Sequence, residues 1–292
     1  MAKIGVFDSG YGGLTILDAI RKRLPEYDYL YLGDNARAPY GTHSFDVIYR
    51  YTWQAVKYLF EQDCALVILA CNTASAKALR TIQQKDLPPS REKLGKQVNV
   101  LGVIRPTVEA VPAITKNGHI GILATPATIS SESYVLELKK VQSDNVQCTK
   151  ELAVTQQACP MWVPLIESGE HQNSGADYFV DLYLRQLLAQ DAQIDTIVLG
   201  CTHYPLLKEK IEKSLRAYPR PLPEGKGEIQ IISQGSLVAD SLLDYLSRHP
   251  EYRDQLSKGG KCHYLTTENA DRFAQSASIF LSSSVCAEHI DL

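Results

Sequence analysis

Two stretches of this 292-residue chain decide its fold: residues 66–71 read Leu-Val-Ile-Leu-Ala-Cys, and residues 196–201 read Thr-Ile-Val-Leu-Gly-Cys. Each is a short apolar run rich in branched side chains, as expected of a strand that is buried on both faces of a sheet. Each run ends in a small residue and a cysteine, Cys71 or Cys201. The two stretches therefore predict central strands of parallel sheets, with a thiol at the carboxyl end of each strand.

Similar short apolar runs alternate with longer amphipathic stretches along the rest of the chain. The predicted strands are Ile4–Phe7, Tyr29–Leu32, Leu66–Ala70, Val98–Val103, Ile120–Ala124, Thr196–Leu199 and Ile229–Ile232. The predicted helices lie near residues 13–24, 44–61, 73–84, 130–141, 176–190, 205–217 and 235–248. This alternation is typical of α/β domains in which helices cover a parallel sheet.

The two halves of the chain resemble each other weakly. Ile4-Gly5-Val6-Phe7 and Ile120-Gly121-Ile122-Leu123 each lead into a polar turn, and each is followed later by a strand that ends in a cysteine. We interpret this recurrence as two pseudo-symmetric α/β domains, although such runs also recur by chance in α/β proteins. The predicted first domain comprises residues 1–98 and 208–292, and the second comprises residues 99–207. We expect the active site in a cleft between them, because clefts between domains commonly bind ligands.

Composition and charge exclude several classes of protein. With 30 Lys and Arg against 33 Asp and Glu, the net charge is −3, and 45% of the residues are hydrophobic. This balance argues against a strongly basic nucleic-acid binder and against a disordered acidic chain. No apolar stretch approaches the ~18 residues that a membrane span needs, and no apolar signal segment follows Lys3. We therefore expect a cytoplasmic protein with no nucleic acid and no membrane as partner.

The seven cysteines include no CxxC pair, which favours reduced thiols over a disulfide framework. Cys71 and Cys201 stand out because each follows a buried strand and precedes a predicted helix, whose dipole would favour the thiolate. A buried cysteine often serves only for packing, but two in matched contexts indicate chemistry. We assign the other five to packing or to the surface: Cys64, Cys148, Cys159, Cys262 and Cys286.

Two thiols at one site suit a reaction that inverts a carbon stereocentre. One group takes the α-proton from one face of the carbon, and the other delivers a proton to the opposite face. A nucleophilic hydrolase would need one thiol together with a base and an oxyanion hole. A metal site would need more closely spaced ligands than the sequence offers.

Polar residues after other predicted strands could complete such a site. Asp8 and Ser9 open a glycine-rich turn that fits neither a dinucleotide-binding loop nor a P-loop, but whose N–H groups suit a small anion. Tyr40 and Gly41 lie in a turn after the second predicted strand. His203 follows Cys201 by two residues and could balance the charge of its thiol. Glu167 could support His203.

These motifs together resemble the cofactor-independent aspartate/glutamate racemase family, and within it the glutamate racemases. The resemblance rests on six segments in order: Ile4–Leu14, Gly33–Gly41, Ala70–Ser75, Thr125–Ile129, Ala158–Glu167 and Leu199–Leu207. Each segment is a weak signal by itself, whereas the six together are specific and span most of the chain.

The resemblance implies an enzyme that interconverts L- and D-glutamate with Cys71 and Cys201 as the two proton donors and acceptors. It also implies that Asp8 and His203 assist the two thiols and that Glu167 supports them. The positions that would hold the substrate are Asp8, Ser9, Tyr40, Gly41, Asn72, Thr73, Thr202 and His203. Further expectations are that neither a metal nor another cofactor takes part, that the enzyme is a homodimer, and that its D-glutamate serves peptidoglycan synthesis.

Three other functions stay open at the level of sequence. A racemase for aspartate, or a related isomerase or decarboxylase, would share these motifs, because the pocket that selects the side chain is poorly visible in sequence. A two-domain module that binds acidic amino acids would have a similar architecture without catalysis. A cysteine hydrolase would use one thiol only and would form an acyl adduct on it.

Overall fold

The computed structural model describes residues 1–144, 151–217, 229–281 and 283–292. Its strands are β1 Lys3–Asp8, β2 Tyr29–Gly33, β3 Cys64–Leu69, β4 Asn99–Gly102, β5 His119–Ala124, β6 Ala153–Ala158, β7 Thr196–Gly200, β8 Gln230–Ile232, β9 Cys262–Thr266 and β10 Ala287–His289. Its helices are α1 Gly13–Arg23, α2 Phe45–Glu61, α3 Asn72–Lys77, α4 Leu79–Thr81, α5 Leu87–Leu94, α6 Ile104–Ile114, α7 Pro126–Ser130, α8 Ser133–Asp144, α9 Trp162–Glu167, α10 Ser174–Gln190, α11 Lys208–Ala217, α12 Gln234–Arg248, α13 Pro250–Arg253 and α14 Ala270–Ala277. No helix among these described residues is long and apolar enough to cross a membrane.

The chain forms two compact units. The first comprises Met1–Val103 and Gly235–Leu292, and the second comprises Ile104–Gln234. The sequence placed the return to the first domain near residue 208, whereas in the structure it comes at Gly235. The reason is that α11 packs on α10 and β8 pairs in parallel with β7, so both elements stay with the second unit.

The first unit is built on a six-stranded parallel sheet with the order β10-β9-β2-β1-β3-β4. All residues of β2 and β3 are buried, because helices cover both faces of the sheet centre. The apolar face of α1 packs into this core through Leu14, Leu17 and Ile20. These positions are three residues apart, a spacing that keeps side chains on one face of a helix.

The second unit has a four-stranded parallel sheet with the order β6-β5-β7-β8. β5, β6, β7 and β8 are the first, second, third and fourth strands of this unit in chain order. Their arrangement therefore matches β2-β1-β3-β4 in the first sheet. The pairing register of the central strands is also the same in the two sheets. Leu69 of β3 pairs with Phe7 of β1, and at the equivalent position Leu199 of β7 pairs with Leu123 of β5. The predicted α/β fold with two related parallel sheets is confirmed.

All seven predicted strands are present, while β6, β9 and β10 were missed. The predicted helix over residues 73–84 is divided into α3, α4 and a π-helical turn at Ile82–Asp86. The next helix, α5, has its two prolines in its first turn, where a missing backbone N–H leaves no helical hydrogen bond unmade. The assignment of Cys148 falls outside the described residues.

Candidate active site

In the first unit, Cys71 lies just beyond β3 at the carboxyl edge of the sheet. Cys71 is 5% exposed, and its Sγ lies 3.2 Å from Oγ of Ser9, the residue that follows the adjacent strand β1. Cys71 is also the N-cap of α3, where Sγ accepts a hydrogen bond from the N–H of Ala74. The thiol therefore has a hydroxyl and a backbone N–H beside it, both of which can stabilise a thiolate.

Asp8, the last residue of β1, is buried and its carboxylate faces the glycine turn. Oδ2 accepts a hydrogen bond of 2.9 Å from the N–H of Gly10. Neither Asp8 nor Ser9 caps α1, since Gly12 occupies the N-cap without any side-chain hydrogen bond. A Cβ at Gly13 would lie 2.4 Å from Cβ of Asp8, so only glycine lets α1 begin this close to the carboxylate.

Tyr40 is held by a buried carboxylate that the sequence analysis did not select. Asp34 follows β2 and accepts hydrogen bonds from the Tyr40 hydroxyl, from Nε of Arg37 and from Oγ1 of Thr267, the last at 2.9 Å. Burial, and then the charge of Asp34, raise the pKa of Tyr40 far above its usual range. The phenol thus stays protonated, and its position and that of Gly41 beside it are fixed by this network.

Asn72 and Thr73 open α3 directly after Cys71 and are both buried. The first unit thus brings together Cys71, Ser9 and Asp8 at the ends of neighbouring strands, with Asn72 and Thr73 adjacent in the chain. Their amide and hydroxyl groups are suited to hydrogen bonding with a carboxylate or an ammonium group.

In the second unit, Cys201 forms a chain of contacts with His203 and Glu167. Nδ1 of His203 lies 3.8 Å from Sγ of Cys201, and Nε2 lies 2.9 Å from Oε1 of Glu167. Cys201 and His203 are 6% and 5% exposed, and Thr202 between them is also buried. The helix predicted near residues 205–217 begins as a 3₁₀ helix at Tyr204–Leu207 and continues as α11, and a short turn separates it from Cys201.

Glu167 reaches His203 because α9 is packed against the turn that follows Cys201. The indole of Trp162 on α9 meets the ring of Tyr204 edge-on, at a centroid distance of 4.7 Å. The Tyr204 hydroxyl donates to the carbonyl of Cys159, which precedes α9. Sequence alone could not place this contact, since Glu167 and His203 are 36 residues apart.

Electrostatics favours the imidazolium form of His203. Burial lowers its pKa, but the hydrogen bonds and charges of Cys201 and Glu167 outweigh burial and raise the pKa well above 6.5. The histidine is therefore expected to carry its proton at neutral pH, between a thiol and a carboxylate. By contrast, burial raises the pKa of the Cys64 thiol to about 12, which agrees with a packing role.

Three further cysteines also fit the assignment to packing or surface. Cys159 is buried, Cys262 is partly buried and Cys286 is exposed. Within the described ranges, no group of three or more His, Cys, Asp or Glu side chains is arranged to hold a metal ion.

Comparison with known proteins places the chain in a family. Residues 14–233 match the model of the Asp/Glu/hydantoin racemases. The chain therefore belongs to the Asp/Glu/hydantoin racemase family. Within that family, it is 39% identical over 297 aligned residues to the glutamate racemase of Ruegeria sp. (strain TM1040), covering 98% of each chain.

Solved structures give the same result. The glutamate racemase isoform RacE1 of Bacillus anthracis is 31% identical, with a TM-score of 0.83 over 100% of this chain and 98% of that one. The glutamate racemase of Francisella tularensis, solved with D-glutamate, is 29% identical, with a TM-score of 0.79 over 99% and 97%. Because the chain belongs to a racemase family, its function is neither that of a module that only binds amino acids nor that of a cysteine hydrolase.

Proposed function

We propose that the chain is a glutamate racemase that interconverts L- and D-glutamate by proton transfer at Cα between two cysteines. The observation that carries the proposal is the matched position of the two thiols. Cys71 comes two residues after Leu69, which pairs with Phe7 of the neighbouring strand. Cys201 likewise comes two residues after Leu199, which pairs with Leu123, and the two sheets have the same strand order. Similarity to glutamate racemases over the whole chain supports glutamate as the substrate.

The mechanism uses the two thiols as an acid and a base. One enters as a thiolate and takes the α-proton, while the other enters as a thiol and delivers its proton to the opposite face. When the reaction runs in reverse, the two exchange roles, so chemically equivalent groups are suitable. The scheme requires Cys71 and Cys201 to be presented to opposite faces of one Cα.

Each thiol has its own auxiliary groups. Beside Cys71, the Ser9 hydroxyl is within hydrogen-bond distance, and Asp8 is positioned to bind the substrate ammonium or to assist the proton transfer. Beside Cys201, the His203 imidazolium stabilises the thiolate, and Glu167 holds the ring and its charge. The carbanion formed at Cα is stabilised by hydrogen bonds to the substrate carboxylate.

The remaining candidate residues would bind the substrate. Asn72, Thr73 and Thr202 adjoin the two cysteines, and Tyr40 with Gly41 lies in the turn fixed by Asp34.

We further propose that the enzyme is cytoplasmic and a homodimer, and that its product serves peptidoglycan synthesis. Light scattering during gel filtration tests the dimer, cell fractionation tests the location, and growth of a depleted strain with D-glutamate tests the role.

Proton NMR of L-glutamate in D₂O, with reduced protein and no added cofactor, tests the reaction. We expect the α-proton signal to disappear while chiral analysis shows D-glutamate. An unchanged α-proton would reject glutamate, and aspartate would be tested next. Cys71→Ser and Cys201→Ser should each lose most racemisation, and full turnover in either variant would contradict the two-base scheme.

A further inference from the structure

The backbone that carries Cys201 is packed against a buried tyrosine. A Cβ at Gly200, directly before Cys201, would lie 3.2 Å from Cε2 of Tyr134 and 3.1 Å from Cβ of Ala124. Tyr134 is the second residue of α8 and is fully buried. The edge of the Tyr134 ring therefore packs against the end of β7, and the close packing leaves this strand end little space to move.

The Tyr134 ring is in turn held through its hydroxyl. Nε2 of Gln234 donates to the Tyr134 hydroxyl at 3.0 Å and to Oγ1 of Thr107 at 2.9 Å. Gln234 is 1% exposed, and Thr107 on α6 is fully buried. One amide group thus joins α6 to α8 within the second unit, in surroundings where a lost hydrogen-bond partner is costly.

The pKa of Tyr134 agrees with its position close to Cys201. Burial raises the pKa of Tyr134 far above its usual range, and the charge of a Cys201 thiolate raises it further. The phenol is therefore neutral whenever the thiolate forms, and it does not compete with Cys201 for the proton.

We propose that Gln234, acting through Tyr134, is a positioning residue that fixes the strand end carrying Cys201. Gln234 touches neither thiol and is 33 residues away from Cys201 in the chain. Its role is mechanical: the amide fixes the Tyr134 hydroxyl, and the ring confines Gly200. This inference deepens the proposed function, but it predicts a property of Cys201 that can be measured without substrate.

The test compares the two thiols of the same molecule. Full-length wild-type protein and Gln234→Met are treated with iodoacetamide, and alkylation of Cys201 and Cys71 is followed by mass spectrometry. Methionine has a similar length but no amide, so Cys201 should become more mobile and its alkylation should rise by about threefold or more. Cys71, in the other unit, serves as the internal reference and should not change.

Two further variants separate positioning from general damage. Gln190→Met removes an exposed amide from α10 of the same unit and should change neither rate. Tyr134→Phe keeps the ring but removes the hydroxyl, and should also raise the alkylation of Cys201. If Gln234 acts through this hydroxyl, the double variant should behave like Gln234→Met, and not like the sum of the two changes. A Cys201 rate that does not rise, an equal rise at Cys71, or additive effects would overturn the proposal.

A kinetic measurement links the positioning role to catalysis. Gln234→Met should increase the α-deuterium isotope effect on kcat/KM for one enantiomer of glutamate only, the one whose proton Cys201 removes. Equal increases for both enantiomers would contradict a role confined to Cys201. If the wild type racemises neither glutamate nor aspartate, the proposed function fails, whereas the alkylation experiment still decides the role of Gln234.

Discussion

His203 and Glu167 are joined by a hydrogen bond of 2.9 Å, while the opposite ring nitrogen of His203 faces the thiol of Cys201. The histidine is 5% exposed, and its neighbours raise its pKa despite this burial. A carboxylate can therefore influence a thiol that it does not touch, through the protonation of the ring between them.

Glu167→Gln keeps the size of the side chain but removes its charge. The pKa of His203 should fall, so the imidazolium is lost at a lower pH. The alkaline limb of the pH profile of kcat/KM should move to lower pH by about one unit, with a rate loss of about tenfold or more at neutral pH. Profiles of wild type and variant test this, with Glu209→Gln as an exposed control. An unshifted alkaline limb would show that Glu167 does not act through His203.

The raised pKa of His203 also predicts how stability depends on pH. Since the folded state binds this proton more tightly than the unfolded state, the stabilisation is complete below the unfolded pKa of about 6.5 and is lost as pH rises through the folded pKa. The difference in free energy of unfolding between wild type and His203→Gln should therefore shrink with increasing pH. Urea denaturation from about pH 5.5 to about pH 9 measures it. A difference that grows with pH would contradict the assignment.

Asp34→Asn should be strongly destabilising. The carboxylate is fully buried and accepts hydrogen bonds from Arg37, Tyr40 and Thr267, so removal of its charge leaves the partly buried Arg37 guanidinium without its opposite charge. We expect the free energy of unfolding to fall by about 3 kcal/mol. Asp63→Asn is the matched control, since Asp63 pairs with Lys96 at the surface and its loss should cost less than about 1 kcal/mol. Similar losses in both variants would show that the Asp34 network is not a special support of Tyr40.

Gly13→Ala should disturb the Asp8 site. The added methyl group would lie 2.4 Å from Cβ of Asp8, so α1 or the carboxylate must shift, at a cost of about 1–3 kcal/mol and with a loss of kcat/KM. Gly175→Ala is the control, because a Cβ there meets no atom within 4 Å. Alanine in α10 should leave activity unchanged and raise stability by about 0.5 kcal/mol. Thermal denaturation and initial rates of both variants test this, and equal behaviour would contradict the close packing at Asp8.

The three strands that the sequence failed to predict are all peripheral in their sheets. β6 and β10 are edge strands, and β9 lies next to the edge. Every residue of β6 is partly exposed, and β10 has three residues with two of them exposed. Strands in such positions need no continuous apolar run, so their sequences lack the signal that identified β3 and β7.

Residues of the candidate site could be selected from the sequence where they directly follow a predicted strand. Cys71 and Cys201 could be selected because each ends an apolar run, and Ser9 because it follows the neighbouring strand. Asp34 was overlooked although it also directly follows a strand, because its partner Thr267 lies 233 residues further along the chain. Contacts of this length depend on strand order, which a single sequence does not reveal.

The discontinuous first unit has a consequence for synthesis of the chain. Residues 104–234 are continuous, so the ribosome completes the second unit before it has made β9 and β10. Until then, β2 presents an open edge, and the hydrogen bond from Thr267 to Asp34 cannot form. A nascent chain in that state exposes a strand to intermolecular pairing. The part of the enzyme that begins first is thus the last to be finished, and chains that stop before residue 262 should aggregate.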